Sequence, residues 1–371
     1  MNILMVTSFP FPGVTGSPIH TMQIARGLAE RGHEIVVAKY SGSGGARSSS
    51  TWEGIEVRHL PRRDWLRDFA ELTVSRRPDV CYAHGDLAVI TAFPITRPRR
   101  LPMIHEVHSL PADPGDRRGG AQAARDFLAR RLAPHLDLQI VLSQRVAWEL
   151  EGRQAVARGG YRVCYPPADL AAFRAEPRPP RTDAPVIAYA GNFFSYQGVD
   201  LLVAAAERVW ARRPDVKFRI IGGTRDEALS AFSGMPASND GRIQFVGRQS
   251  LEAMPAFLQD ADVLVIPRPD VAENRTTSRK LGEYLAAGRI VVVTDVADHR
   301  LIFEPHQCGI VVEPSVEGIA RGLLDAVSDP ESASRTAARA VRAAEELFCL
   351  DRGVEAREAM LSDVVRRSKR R

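Results

Sequence analysis

The chain has 371 residues, 44% hydrophobic and 26% charged, with a formal net charge of +5. At ~150 residues per domain this points to about two globular domains, and it excludes a mostly disordered chain or a disulfide-stapled miniprotein. No run approaches the ~20 consecutive apolar residues of a membrane-spanning helix.

In chain order, strands are predicted at 2–7, 34–38, 55–60, 80–84, 103–107, 138–142 and 162–165, with helices at 18–31, 64–75, 122–132 and 144–150. Gly32 sits where a helix C-terminal glycine cap is expected. The proline-rich stretch 174–185 lacks backbone donors and reads as a linker. The alternation then restarts, with strands at 186–190, 217–221, 243–246, 263–266, 290–294 and 309–312. Helices are predicted at 199–212, 251–259, 278–287, 316–327 and 334–347.

The fold class is therefore α/β, two doubly wound parallel-sheet domains. The expected boundaries are 1–173, linker 174–185, 186–347, and a C-terminal helix over 348–371 that crosses back to the first domain with a basic tail. Ligands in such sheets bind beyond the carboxyl ends of strands, so the gap between the halves is the expected site. Two low-complexity segments, 41–50 and 111–120, read as loops, the second bordering that gap.

Cys81, Cys164, Cys308 and Cys349 lie far apart without CxxC spacing, which supports neither a zinc site nor a disulfide framework. The first residues, MNILMVTSFPFP, lack a basic n-region and a long apolar run, so no secretion signal is expected and a cytoplasmic location is. Arginines outnumber lysines 46 to four, a composition bias and not a nucleic-acid footprint. The dense tail Arg366, Arg367, Lys369, Arg370 and Arg371 suits either an anionic inner membrane face or a solvated helix end. Arg62, Arg63, Arg67, Arg76 and Arg77 around one predicted helix leave the same two readings open.

Three segments carry chemistry. GVTGSPIH (13–20) follows the first strand and opens the first helix, bringing Gly16 and Ser17 to a helix N-terminus that favours anions. YAGNFFSYQGVDLL (189–202) repeats the arrangement, with Gly191 at a strand end and a helix starting near Gly198. NRTTSRKLGEYLAAG (274–288) places the hydroxyls of Thr276, Thr277 and Ser278 and the cations Arg275, Arg279 and Lys280 at a helix start, a place suited to a diphosphate. A lysine at 280 runs against the chain's own bias toward arginine.

The order of these segments, with RGLAERGHEIVV, PDVCYAHGDLA, HEVHS, DLQIVLS, YPPADLAAF, RIIGG, FVGR, ADVLVIP and KLGEYLAAGRIVVVTD, resembles glycosyltransferase family 4 of the GT-B fold over nearly the whole chain. That resemblance implies two Rossmann-like domains facing across a cleft. It implies a retaining, metal-independent hexosyltransferase using a nucleotide-diphosphate sugar as co-substrate, with no cofactor and no metal. Carried over by position, Glu283 matches the second glutamate of the family's E-x7-E motif, which clamps the nucleotide ribose, and His108 matches the histidine near the donor sugar. His105 is expected to be structural, and His20 and His84 to sit at the cleft rim. The donor set implied is Gly16, Ser17, Gly191, Asn192, Gln197, Arg275, Thr276, Thr277, Ser278, Lys280, Leu281 and Glu283.

Two departures stand out. The first glutamate of E-x7-E falls at Arg275, with Glu273 out of register, and the family's diphosphate-binding Arg and Lys fall at Asn192 and Gln197. The expectation is that Arg275, Arg279 or Lys280 supplies the charge while Asn192 and Gln197 donate neutral hydrogen bonds. The DAD triplet Asp260–Asp262 lies between a predicted helix and strand, a structural position and not a metal site.

The implied reaction is front-face transfer to a carbohydrate or lipid-linked acceptor, in cell-surface polysaccharide or glycolipid synthesis, with peripheral contact to an anionic membrane and no nucleic acid. Two alternatives stay open: a GT-B nucleotide-sugar epimerase, and a degenerate GT-B partner subunit.

Overall fold

The structure, a computed structural model, describes residues 1–370 except 14–15, 43–44, 109–119 and 233–240. The chain divides into a first unit of Met1–Pro166 with Leu350–Arg371, and a second unit of Pro167–Cys349.

The first unit runs β1 (Asn2–Thr7), α1 (Gly16–Glu30), β2 (Glu34–Ser41), β3 (Ser48–Trp52), β4 (Ile55–Pro61), α2 (Trp65–Arg76) and β5 (Val80–His84). It continues α3 (Asp86–Thr96), β6 (Met103–Val107), α4 (Gly120–Leu132), β7 (Leu138–Val141), α5 (Gln144–Gly152) and β8 (Tyr161–Val163). These strands order as β3-β4-β2-β1-β5-β6-β7-β8, parallel except for β3, which pairs antiparallel with β4 at the edge. Strands β5 and β6 are buried at every residue, as a parallel sheet covered on both faces requires. The order reverses between β1 and β5, the switch point at which such sheets bind ligands.

The second unit runs α6 (Leu170–Phe173), β9 (Val186–Ala190), α7 (Val199–Trp210), β10 (Lys217–Ile221), α8 (Arg225–Ala231), β11 (Ile243–Gly247), α9 (Met254–Asp260) and β12 (Val263–Ile266). Then follow α10 (Arg279–Ala286), β13 (Ile290–Thr294), α11 (His299–His306), β14 (Ile310–Val312), α12 (Val316–Ser328) and α13 (Pro330–Leu347). Its sheet is β11-β10-β9-β12-β13-β14, with the switch point between β9 and β12. A core of Ile187, Phe218, Val263, Val292 and Leu323, with α7 and α12 over it, holds the sheet. Helix α14 (Leu350–Lys369) belongs to the first unit, where Val354, Leu361 and Val365 enter its core.

The division falls at 166/167, ahead of the boundary placed at 173. Helix α6, ahead of the proline-rich stretch, packs against α9 and α10 of the second unit, with Gln259 Nε2 donating to the Phe173 carbonyl at 3.3 Å, and the proline-rich stretch follows it there. Although it forms no ladder, its arginines anchor it to the second unit: Arg178 donates to Asp262 Oδ1 at 2.6 Å and Arg181 to Asp262 Oδ2 at 2.8 Å. Asp262 also accepts from the amide of Val186, and Asp260 is paired with Arg219, so the carboxylates of the DAD triplet are engaged in holding chain segments. The segment 41–50 contains the end of β2 and the start of β3, while 111–119 lies outside the described residues.

Candidate active site

In the first unit the residues at the switch point build a histidine–carboxylate network. Strand β6 carries His105 and Glu106 on opposite faces, as the two-residue period of a strand dictates. Glu106 is wholly buried and is met by Arg357 of α14 at 2.7 Å, by His20 Nε2 of α1 at 2.5 Å, and by the Tyr82 hydroxyl of β5. Burial alone would raise its carboxyl, but Arg357 and then His20 hold it well below the usual carboxylate range.

His84, at the end of β5, has its Nδ1 3.2 Å from His108 Nε2 and 3.3 Å from Thr21 Oγ1. His108, one residue past β6, meets the ring of Phe9 edge-on with centroids 4.9 Å apart. The ligand atoms of His20, His84 and His108 lie within 4.8 Å of one another, the one such grouping among the described residues. His20 and His84, expected at a rim, are instead buried at 2% and 0% exposure, because α1 and β5 carry them under the sheet's carboxyl edge beside Glu106. Burial, then the neighbouring His20 and His84, push the His108 imidazole well down, so it is neutral at physiological pH. Burial lowers His84 to about 3 and His105 to about 4. His105 faces Asp86, 3.4 Å away, whose carboxyl burial raises to about 7. Gly16 and Ser17 form the first turn of α1, where the Ser17 carbonyl accepts from Thr21.

In the second unit the ends of β9 and β12 meet the start of α10. Lys280 Nζ lies 3.0 Å from Gln197 Oε1 and 4.6 Å from the centre of the Tyr189 ring. The Tyr189 hydroxyl lies 2.9 Å from the Asn192 carbonyl and 3.3 Å from Gln197 Oε1. A Cβ on Gly191 would fall 2.4 Å from both Lys280 Nζ and Tyr189 Oη, so glycine there leaves room for the ammonium. Gly198, at φ 73°, caps the start of α7 against the Pro267 carbonyl, where no side chain fits. Burial, and then Arg268, lower Lys280 to about 7.

The three cations expected at this helix start have different fates. Arg275 is ion-paired with Asp270 and Arg279 with Glu283, while Lys280 is held by a neutral amide and an aromatic face. Gln197 therefore accepts from Lys280 through its oxygen, and Asn192 Oδ1 accepts from the Phe194 amide at 3.3 Å. Glu283 is 8% exposed, and burial raises its carboxyl despite Arg279 and Lys280. Ser278 is the N-cap of α10 without a side-chain capping bond, and Thr277 is buried with its hydroxyl unpartnered among the described residues. Thr276 accepts through its carbonyl from Arg268 at 3.4 Å. Leu281 is fully buried and leaves no side-chain surface for a ligand.

Sequence reasoning passed over Arg268, Glu106 and Arg357. A carboxylate inside an all-buried strand was the available signal for Glu106, since an unpaired buried charge is prohibitive. Arg268, one among 46 arginines, had only its place after the strand ADVLVIP. On the surface, Arg63 and Arg67 pair with Asp64, and Arg76 with Glu56, so the helix with the arginine cluster presents mixed charge. The tail is similar: Arg367 pairs with Asp363 and Lys369 with Asp79. No helix among the described residues is long and apolar enough to cross a membrane.

Residues 184–329 match the family model described as glycosyl transferases group 1, and residues 15–166 match the glycosyl transferase 4-like domain. A phosphatidyl-myo-inositol mannosyltransferase of Mycolicibacterium smegmatis is 23% identical over 364 residues, covering 92% of this chain and 88% of that protein. Among solved structures, sucrose-phosphate synthase of Thermosynechococcus elongatus aligns over 98% of both chains with a TM-score of 0.79 at 17% identity. Anabaena HepE in complex with UDP aligns over 98% of this chain and 100% of its own at 0.78 and 16% identity. HepE has also been solved with UDP-glucose.

Proposed function

The chain belongs to the GT-B glycosyltransferases of the family 4 type, and from that premise we propose that it moves a hexose from a nucleoside-diphosphate sugar to an acceptor hydroxyl. In this reading the anomeric configuration is retained, no metal ion takes part, and the product is a cell-surface polysaccharide or glycolipid.

The observation that carries the donor reading is the 3.0 Å contact between Lys280 and Gln197. Position 197 is where the family's diphosphate-binding lysine falls. Here the lysine comes from α10 and its ammonium reaches the same corner. The bond between the anomeric carbon and the phosphate oxygen breaks with its electron pair going to that oxygen, and Lys280 with the N-terminus of α7 supplies preorganised positive charge for it. The acceptor oxygen bonds to the same face of the anomeric carbon, and its proton passes to the departing phosphate oxygen. Glu283 receives the ribose hydroxyls, a task suited to a carboxylate's two acceptor oxygens. His108, neutral, is assigned to the sugar, where an uncharged ring adds no repulsion to a developing oxocarbenium. The lipid acceptor named for the mycobacterial relative and the UDP-glucose bound by HepE support a glycan or lipid acceptor and a hexosyl donor. Peripheral contact with an anionic membrane belongs to the same proposal, and salt-sensitive sedimentation with anionic vesicles tests it.

The deciding experiment is a thermal-shift panel of UDP-, GDP- and ADP-sugars, followed by NMR of the anomeric centre in the product. One donor is expected to raise Tm and to give a product of unchanged configuration. An inverted product would end the claim of retention, and no shift with any donor would end the donor reading.

A further inference from the structure

We propose that Arg268 is a second phosphate-binding cation of the second unit, completing with Lys280 a two-cation seat for the diphosphate of the donor. This rests on the donor reading above and adds to it a residue that lies outside the family's loop and E-x7-E positions.

Arg268 stands two residues past the end of β12, beside the switch point of the sheet, and is 8% exposed. Its carbonyl is fixed by the Thr294 hydroxyl at 2.6 Å, which sets the backbone from which the side chain projects. The guanidinium makes one hydrogen bond, a long one of 3.4 Å to the Thr276 carbonyl, and its Nε has no partner among the described residues. Among the described residues no carboxylate pairs with it. The other buried arginines are treated differently: Arg357 is matched by Glu106, and Arg289 is saturated by the carbonyls of Gln259, Ala261, Glu176 and Gly288.

Arg268 also acts directly on Lys280, being the largest charged influence that disfavours its ammonium. The nearby carboxylate, Glu283, is already bound by Arg279. Among the described residues these two cations thus share one buried corner with no carboxylate bonded to either, Glu283 being taken by Arg279. Leaving a buried charge uncompensated is strongly unfavourable, and a fold retains such a pair where the anion arrives with a ligand. A diphosphate fits in charge, and Arg's planar fork suits its oxygens. The unpartnered hydroxyl of Thr277 adds a neutral donor at the same helix start.

The test is isothermal titration of the full chain with UDP, GDP and ADP, with the matching monophosphates, and with inorganic pyrophosphate. Wild type is expected to prefer one diphosphate over its monophosphate. R268Q is expected to lose at least tenfold in diphosphate affinity and less than threefold in monophosphate affinity. Its unliganded Tm is expected to equal or exceed that of wild type, because a buried unpaired charge has gone. A structural arginine would instead lower Tm and leave the preference intact, and a preference within twofold of wild type in R268Q overturns the proposal. If R268Q does not fold, R268K decides. Pyrophosphate affinity within threefold of wild type supports the charge role, and a tenfold loss overturns it. If wild type binds none of the nucleotides, the donor reading itself fails and this inference falls with it. Nucleotide binding with an unaltered R268Q removes this inference alone.

Discussion

The Arg357 guanidinium and the Glu106 carboxylate, 251 positions apart in sequence, meet at 2.7 Å with both side chains wholly buried. The pair ties α14 to the strand that carries His105 and leads into His108. Removing one member of a buried ion pair strands the other, a loss of about 3–5 kcal/mol. Arg357→Met is therefore expected to lower the melting temperature of the chain by roughly 10 °C, given about 2–4 °C per kcal/mol at this size. Calorimetry checks it. A shift of a degree or less would mean that Glu106 is satisfied by Tyr82 and His20 alone.

Acid should loosen the same unit. His84 and His105 are buried neutral, lowered by burial to about 3 and about 4 from an ordinary 6.5. Between those limits the unfolded chain binds two imidazole protons that the folded chain refuses, while Asp86, raised by burial to about 7, takes a proton in the folded chain alone and offsets one of them, so stability still rises with pH across the window but with the smaller net slope. The contribution is complete above 6.5 and is lost progressively as pH falls toward 4. Glu106, held low, adds a loss in the same direction at still lower pH. Melting temperature is expected to fall steadily from pH 7 to pH 4.5, and His105→Gln to flatten that slope. A curve flat from 7 to 4.5 would show that these imidazoles titrate normally.

The alternation of strands and helices was readable because parallel strands are continuous apolar runs of fixed length. What escaped had weak or conflicting local signals. Helix α3, DLAVITAFPIT, is apolar nearly all round and contains Pro94, so it shows no 3.6-residue stripe. Strand β3, SSSTW, lies exposed at an edge and reads as a serine-rich loop. Helix α8 was passed over as well, although the capping box of Thr224 and Glu227 was a readable local signal for it. In the site, HEVHS was visible as a segment, but the partner that stabilises its glutamate comes from α14, and no local pattern in the sequence points there. The replacement at position 197 was legible as a loss. Lys280, proposed to compensate for it, was one of three candidates until the ion pairs of Arg275 and Arg279 set those two apart.

That separation gives a kinetic prediction. Lys280→Met should reduce kcat/KM for the donor by about 10²–10³, the usual loss when one charge-stabilising donor is removed. Arg275→Ala, whose side chain is bound to Asp270, should stay within about threefold of wild type. Lys280 titrates near 7, lowered by burial and by Arg268 and Arg279 against the opposing pull of Glu283. Since only the ammonium attracts the diphosphate, wild-type kcat/KM should carry a limb that falls above about pH 7, and this limb should be missing from Lys280→Met. Equal damage from Arg275→Ala and Lys280→Met would refute the separation.

Gly191→Ala tests the room left for that ammonium. The added methyl would lie 2.4 Å from Lys280 Nζ and from the Tyr189 hydroxyl. The lysine end can swing away at little cost, but the wholly buried Tyr189 ring must shift as well, so Tm should fall by several degrees. Displacing the charge should still weaken donor binding by about tenfold or more, near 1.4 kcal/mol. Titration of the variant with the donor identified in the panel is the check, and unchanged affinity would mean that the ammonium acts from another position.

Metal removal separates the two uses open to the histidine cluster. Three imidazoles with ligand atoms inside 4.8 Å are enough in number for a transition-metal site, and Glu106 on His20 is the kind of carboxylate that orients a ligating ring. The proposed chemistry needs no metal, because Lys280 and helix dipoles neutralise the leaving group and His84 and His108 serve as neutral hydrogen-bonding groups. Turnover should therefore survive dialysis against EDTA unchanged, while His108→Ala should lower kcat by about 10²-fold. Loss of turnover in EDTA that zinc restores, together with stoichiometric zinc in the untreated protein, would make His20, His84 and His108 a metal centre and displace the metal-free mechanism.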